Sequence, residues 1–177
     1  MTNPDVFGES HFFEITDQSY RFVSMWGSEG SGPGEFQYPM GIAVDASGFV
    51  YVADYKNERV QKFNSSGSYV DDWDSGNADF AGLVSPLLMG FGPSGRLYVS
   101  DPAVAPPSVV IMDTNGNYEG EIHGPPGNYA FFPTGIAFDS AGDMYVADLN
   151  NHRIVKFNGA DYLDEWGSEG KGKYKFR

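Results

Sequence analysis

Asp54, Asp101 and Asp148 stand 47 residues apart, each closing a similar phrase: VYVAD, LYVSD and MYVAD. Three carboxylates gathered at one mouth of a channel are hard oxygen ligands, and Ca²⁺ is the ion they would hold. The same residue type has a second use. An Asp ending a strand caps the following turn by accepting backbone N–H bonds, and it pairs with a nearby arginine. Arg59 and Arg153 lie five residues beyond Asp54 and Asp148. Because the aspartate recurs with the phrase itself, capping is the expected role, and no cofactor is expected unless these carboxylates take Ca²⁺. Asp45 and Asp139 also precede turns. Gly92 replaces them in the middle copy, which breaks any ring at that level.

His11, His123 and His152 are the only histidines. A catalytic zinc needs about three N/O ligands converging on one point. These three occupy unequal places in the repeated phrase, so neither a zinc site nor a catalytic residue is expected. The chain has no cysteine, which removes disulfides, thiolate metal sites and cysteine nucleophiles together.

Residues 39–63 read PMGIAVDASGFVYVADYKNERVQKF, and residues 133–157 read PTGIAFDSAGDMYVADLNNHRIVKF. A degraded copy, PLLMGFGPSGRLYVSD, fills 86–101. Such a period marks one supersecondary unit stacked several times. In the first copy, 41–45, 49–54, 59–63 and 68–73 read as four strands separated by turns. The third copy repeats them at 135–139, 143–148, 153–157 and 161–166. The middle copy has 88–92, 96–101, 109–112 and 118–122, and Pro102, Pro106 and Pro107, which cannot donate ladder hydrogen bonds, make its second loop an expected irregular protrusion. Segments 11–15 and 20–26 resemble the last two strands of another unit. Helical periodicity is absent. The first strand of each unit is the most apolar and the last the most polar. That gradient predicts a buried inner strand and a solvent-facing outer one, as in a propeller blade. The chain divides into 1–26, three blades at 27–73, 74–122 and 123–166, and a basic tail at 167–177.

The pattern P-x-G-I-A-V-D-x-x-G-x-V-Y-V-A-D-x-x-N-x-R-V-x-K-F resembles the NHL repeat. The resemblance implies an all-β propeller of four-stranded antiparallel blades, with about three and a half blades here and six in the usual ring. It also implies a rigid platform for proteins or nucleic acid, while related propellers include lyases and lactonases with a metal in the channel. The alternative function is therefore a hydrolase or lyase with Ca²⁺ in its channel, active only when the ring is closed.

The net charge of −13 disfavours nucleic acid, which is bound through clustered Lys and Arg. It also disfavours anionic membrane surfaces, and no apolar run reaches the roughly 20 residues of a spanning helix. Half a ring leaves apolar blade faces open, and such faces rarely stay exposed on a monomer. Either the chain is a piece of a longer protein or copies associate. Met1, as a start residue, favours association. The expected partner is protein, a second copy foremost, and the expected location is extracellular or at the cell surface.

Trp26, Trp73 and Trp166 share one offset, with Ile122 in the middle copy. They are expected to plug the gaps between blades, each indole N–H bonded to a neighbouring loop. Residues outside the repeat pattern are the candidate contacts: Phe80, Leu83 and Val84; Val104, Pro106 and Pro107; Tyr129, Phe131 and Phe132. Lys171, Lys173, Lys175 and Arg177 form the one basic stretch on an acidic chain, suited to an acidic surface of a neighbouring copy.

Overall fold

The computed structural model describes residues 21–74, 82–127, 130–173 and 175–176. Strands β1 (Ser28–Glu29) and β2 (Glu35–Phe36) form a short parallel pair. Blade 1 follows as β3 (Pro39–Val44), β4 (Val50–Asp54), β5 (Arg59–Phe63) and β6 (Tyr69–Trp73). Blade 2 is β7 (Met89–Phe91), β8 (Leu97–Asp101), β9 (Ser108–Met112) and β10 (Tyr118–His123). Blade 3 is β11 (Pro133–Phe138), β12 (Met144–Asp148), β13 (Arg153–Asn158) and β14 (Asp161–Trp166). Each blade is an antiparallel meander in chain order.

The turns are built alike. Asp45 Oδ1 accepts the N–H groups of Ser47 and Phe49, its Oδ2 accepts the Tyr51 hydroxyl, and Gly48 completes the bend at φ 84°. Asp139, Ala141, Asp143, Tyr145 and Gly142 repeat this arrangement in blade 3. Left-handed backbone is open to glycine and costly for other residues.

The blades stack through alternate side chains. Tyr51, Ala53, Val60 and Trp73 of blade 1 meet Met89, Leu97, Val99, Val110 and Met112 of blade 2, with Leu83 between them. Val109 and Ile122 of blade 2 meet Met144, Val146, Val155 and Phe157 of blade 3, with Phe131 between them. Each blade therefore has a leading face toward the blade before it and a trailing face toward the blade after it.

Three expectations change. The most buried strand is the second: every residue of β4 is buried, whereas β3 exposes Met40, Ile42 and Val44 at 54%, 65% and 56%. An inner strand has a neighbour on only one edge, and no blade covers the leading face of blade 1, where Phe36 packs on Val50, Val52 and Phe63 but leaves β3 open. Second, 21–26 is not a strand, and 11–15 lies outside the described residues. Third, 102–107 does not project as one irregular loop. Val104 is 8% exposed and folds back.

Candidate functional site

The aspartate that ends the second strand is the centre of a saturated polar cluster. Asp54 is fully buried. Its Oδ1 accepts the Gln37 N–H at 2.7 Å. Its Oδ2 accepts from Asn57 Nδ2 at 2.8 Å, Arg59 Nε at 3.0 Å and Gln61 Nε2 at 3.0 Å. Arg59 continues outward to Asp72 at 2.8 Å. The cluster then reaches into the segment that enters the blade, because Asn57 donates to Gly30 O, Arg59 Nη2 to Gly32 O and Glu35 O, and Gln61 Nε2 to Glu35 O. Asp148 repeats the core of this arrangement with Phe132 N, Asn151 and Arg153, and Arg153 reaches Glu165 at 2.5 Å.

Blade 2 solves the same problem without the arginine. Ser108 stands at the arginine position and donates to Glu121. Asp101, fully buried, accepts the backbone N–H groups of Val84, Ser85 and Ala103. Burial is the largest influence on its carboxyl and raises the pKa above the usual aspartate value. Asp54, Asp101 and Asp148 thus sit in three separate blades, each enclosed by its own partners. Among the described residues no group of three His, Cys, Asp or Glu side chains is placed to hold a metal. His123 pairs with Glu121 at 3.2 Å, His152 caps a 3-10 turn in blade 3, and His11 lies outside the described residues.

The tryptophans mark the blade joints. Trp73 lies against Tyr51 of its own blade, with ring centroids 5.6 Å apart, and against the turn glycine Gly116 of the next blade. A Cβ at Gly116 would fall 2.1 Å from the indole, so only glycine admits this approach. Trp73 is 4% exposed, and its buried indole N–H has no hydrogen-bond partner among the described residues, where a loop hydrogen bond was expected. Trp26 has only the second half of this seat. It lies on Gly67 and on Phe63 and is 39% exposed. Trp166 has only the first half, Tyr145 at 5.9 Å, and is 40% exposed.

The remaining contact candidates divide. Leu83 and Phe131 are buried in the joints and Phe132 is half-buried; Val84, Pro106, Lys171, Lys173 and Lys175 are exposed and Pro107 is half-buried. Phe80, Tyr129 and Arg177 lie outside the described residues. Sequence reasoning missed Met40, Ile42 and Val44 as contact candidates, because their apolar run pointed to a buried inner strand. A groove of about 480 Å³ lined by Trp26, Phe36, Tyr38 and Pro39 continues this open face.

The stacked meanders define a β-propeller segment, open on the leading face of blade 1 and the trailing face of blade 3. The chain carries NHL repeats: the family model for the NHL repeat matches residues 36–63 and 132–157. Mouse NHL repeat-containing protein 3 is 31% identical over 103 residues, spanning 56% of this chain and 28% of that protein. Protein lin-41 of Caenorhabditis elegans is 48% identical over 48 residues, 27% of this chain and 4% of its own. The chain therefore spans under a third of the length of these relatives. Among solved structures, virginiamycin B lyase from Staphylococcus aureus superposes with a TM-score of 0.58 at 20% identity, covering 77% of this chain and 43% of the lyase. At that identity the likeness concerns the propeller fold alone.

Proposed function

We propose that this chain is a non-enzymatic interaction and self-assembly module, whose open blade faces join head to tail with a second copy. The observation that carries the reading is the pair of half-built joints. The leading face of blade 1 exposes Met40, Ile42 and Val44, and the trailing face of blade 3 exposes Leu149 and Trp166. The same two kinds of face are buried against each other where blade 1 meets blade 2. Two copies related by a two-fold axis would form two such joints and close a ring of six blades. The repeat aspartates support this reading, because each is occupied by structural partners rather than turned toward a substrate.

Light scattering coupled to size-exclusion chromatography tests it. The expected mass is twice the 19.4 kDa of the chain, and Ile42→Asp, at an exposed position, returns the monomer while leaving the circular dichroism unchanged. A parent chain that stays monomeric at every concentration up to roughly 100 μM, where contacts weaker than about 5–6 kcal/mol no longer hold, overturns the reading.

A further inference from the structure

The segment Trp26–Phe36, WGSEGSGPGEF, is repeated at Trp166–Phe176 as WGSEGKGKYKF. Their described residues share the following features. Gly27 and Gly167 take φ 98° and 115°, and an aromatic ring, Phe36 or Phe176, lies over each. Gly30 N–H donates to Phe36 O at 3.1 Å, and Gly170 N–H to Phe176 O at 2.9 Å. Glu169 and Phe176 form the parallel bridge that corresponds to β1 and β2. The chain thus carries two copies of one strap.

Only the first strap is seated. Phe36 and Trp26 both lie on Phe63, at 5.6 and 6.2 Å. Asn57, Arg59 and Gln61 hold it through Gly30 O, Gly32 O, Gly34 N–H and Glu35 O. These bonds all reach backbone atoms, so the receptor on blade 1 reads the strap's path and its two aromatic anchors rather than its other side chains. The second strap has both anchors but no such set of hydrogen bonds among the described residues: Phe176 is 40% exposed where Phe36 is half-buried, while Trp166 at 40% is as open as Trp26 at 39%.

A finished joint holds one side chain at this place, Trp73 between blades 1 and 2 and Ile122 between blades 2 and 3. A head-to-tail joint between copies brings two, Trp166 of one copy and Trp26 of the other, to a single place. We infer that the Trp166–Phe176 strap of one copy takes the blade 1 receptor of a second copy and displaces that copy's Trp26–Phe36 strap. Charge favours the exchange. The first strap carries Glu29 and Glu35 and no cation, whereas the second carries Lys171, Lys173 and Lys175 against Glu169. Beside the receptor stands Asp72, bound to the same Arg59 that holds Gly32 O, with Asp71 and Glu58 exposed nearby in the chain. Opposite charge across an interface steers association and fixes register. The first strap is thereby an internal competitor that limits assembly.

This inference rests on the self-assembly reading, and a peptide assay separates the two. A fluorescent peptide of residues 166–177 is titrated into the full chain and into its Trp26→Ser/Phe36→Ser variant. Expected is binding to the variant at least about tenfold tighter than to the parent, weakening with salt and lost when the three peptide lysines become glutamates. If the double variant loses its circular dichroism, Trp26→Phe, which keeps an aromatic ring, must still bind more tightly than the parent. Equal affinity for folded variant and parent, or no binding to the folded variant, overturns the exchange. A dimeric parent with that result leaves self-assembly standing by another contact. A monomeric parent that still shows the tenfold difference supports the receptor and removes self-assembly.

Discussion

Blades 1 and 3 and blade 2 bury the same aspartate in different ways. In blades 1 and 3 the carboxylate meets a guanidinium, which meets a second carboxylate on the outermost strand. The ionic chain crosses from β4 to β6 and from β12 to β14, so it ties the strands of a blade together. In blade 2, Asp101 has no cation partner among the described residues, and backbone amides from the flanking loops enclose it. Charge compensation thus passes from an arginine within the blade to loops outside the repeat. The repeat demands a satisfied buried acceptor at this point, and it accepts more than one way of satisfying it.

The sharpest test of that difference is the loss of each charge. Asp54→Asn leaves Arg59 buried without its inner counter-charge, a change that costs about 3–5 kcal/mol. Asp101→Asn keeps one acceptor oxygen and removes a charge that no cation balances. Its cost is that of one orphaned amide, about 1–2 kcal/mol. Urea denaturation of the two variants should separate by roughly 2 kcal/mol on these figures. Equal losses would show that the two aspartates are energetically alike and that the arginine adds nothing.

The pH dependence separates the blades by sign. Burial raises the pKa of Asp101, so the folded state favours its protonated form. Its contribution is complete below the ordinary carboxylate pKa of about 4 and is lost as pH rises through the raised folded value. Asp139 in blade 3 is the reverse. The Tyr145 hydroxyl bond holds its pKa down, so its contribution is present above that ordinary value and is lost as pH falls. Melting temperatures measured from about pH 3 to 7, spanning the ordinary carboxylate value, should show Asp101→Asn flattening the decline on the rising side. Asp139→Asn should flatten the loss on the acid side. The same slope change from both variants would mean the two environments do not differ as described.

The part of this difference that sequence made legible is the part written locally. Arg59 and Arg153 follow their aspartates at one spacing, so the ion pairs were readable, as were the strands and the tryptophans that mark the joints. Exposure of Met40, Ile42 and Val44 was not readable from apolarity, because burial of a blade face depends on the blade stacked against it. Leu83 and Val104 resembled free loop residues for a related reason. They fill space left by an irregular blade, and nothing in their own neighbourhood of sequence records the shape of that space. Phe176 was hidden inside what looked like a basic tail, since its role appears only when its ring is compared with Phe36 over the matching glycine.

The loops after the second strands give the smallest and cleanest contrast. Blades 1 and 3 turn there through a single 3-10 turn, Tyr55–Asn57 or Leu149–Asn151, and end it with Glu58 or His152 in the left-handed region at φ 55° and 51°. Blade 2 uses 102–107 instead and has no non-glycine residue of that conformation among those described. A left-handed non-glycine residue costs roughly 1–2 kcal/mol, and glycine gives back about 0.5–1 kcal/mol through the freedom of the unfolded chain. Glu58→Gly should therefore stabilise the protein by about 0.5 kcal/mol net of these terms, a rise of roughly 1–2 °C for a domain of this size. Glu58 is exposed and has no side-chain hydrogen bond or ion pair among the described residues, so the backbone effect is measured almost alone. His152→Gly should move the melting temperature in the same direction. An unchanged or lowered value for both would show that the 3-10 turn holds these residues without strain, and that the blades differ in their buried charges but not in their loops.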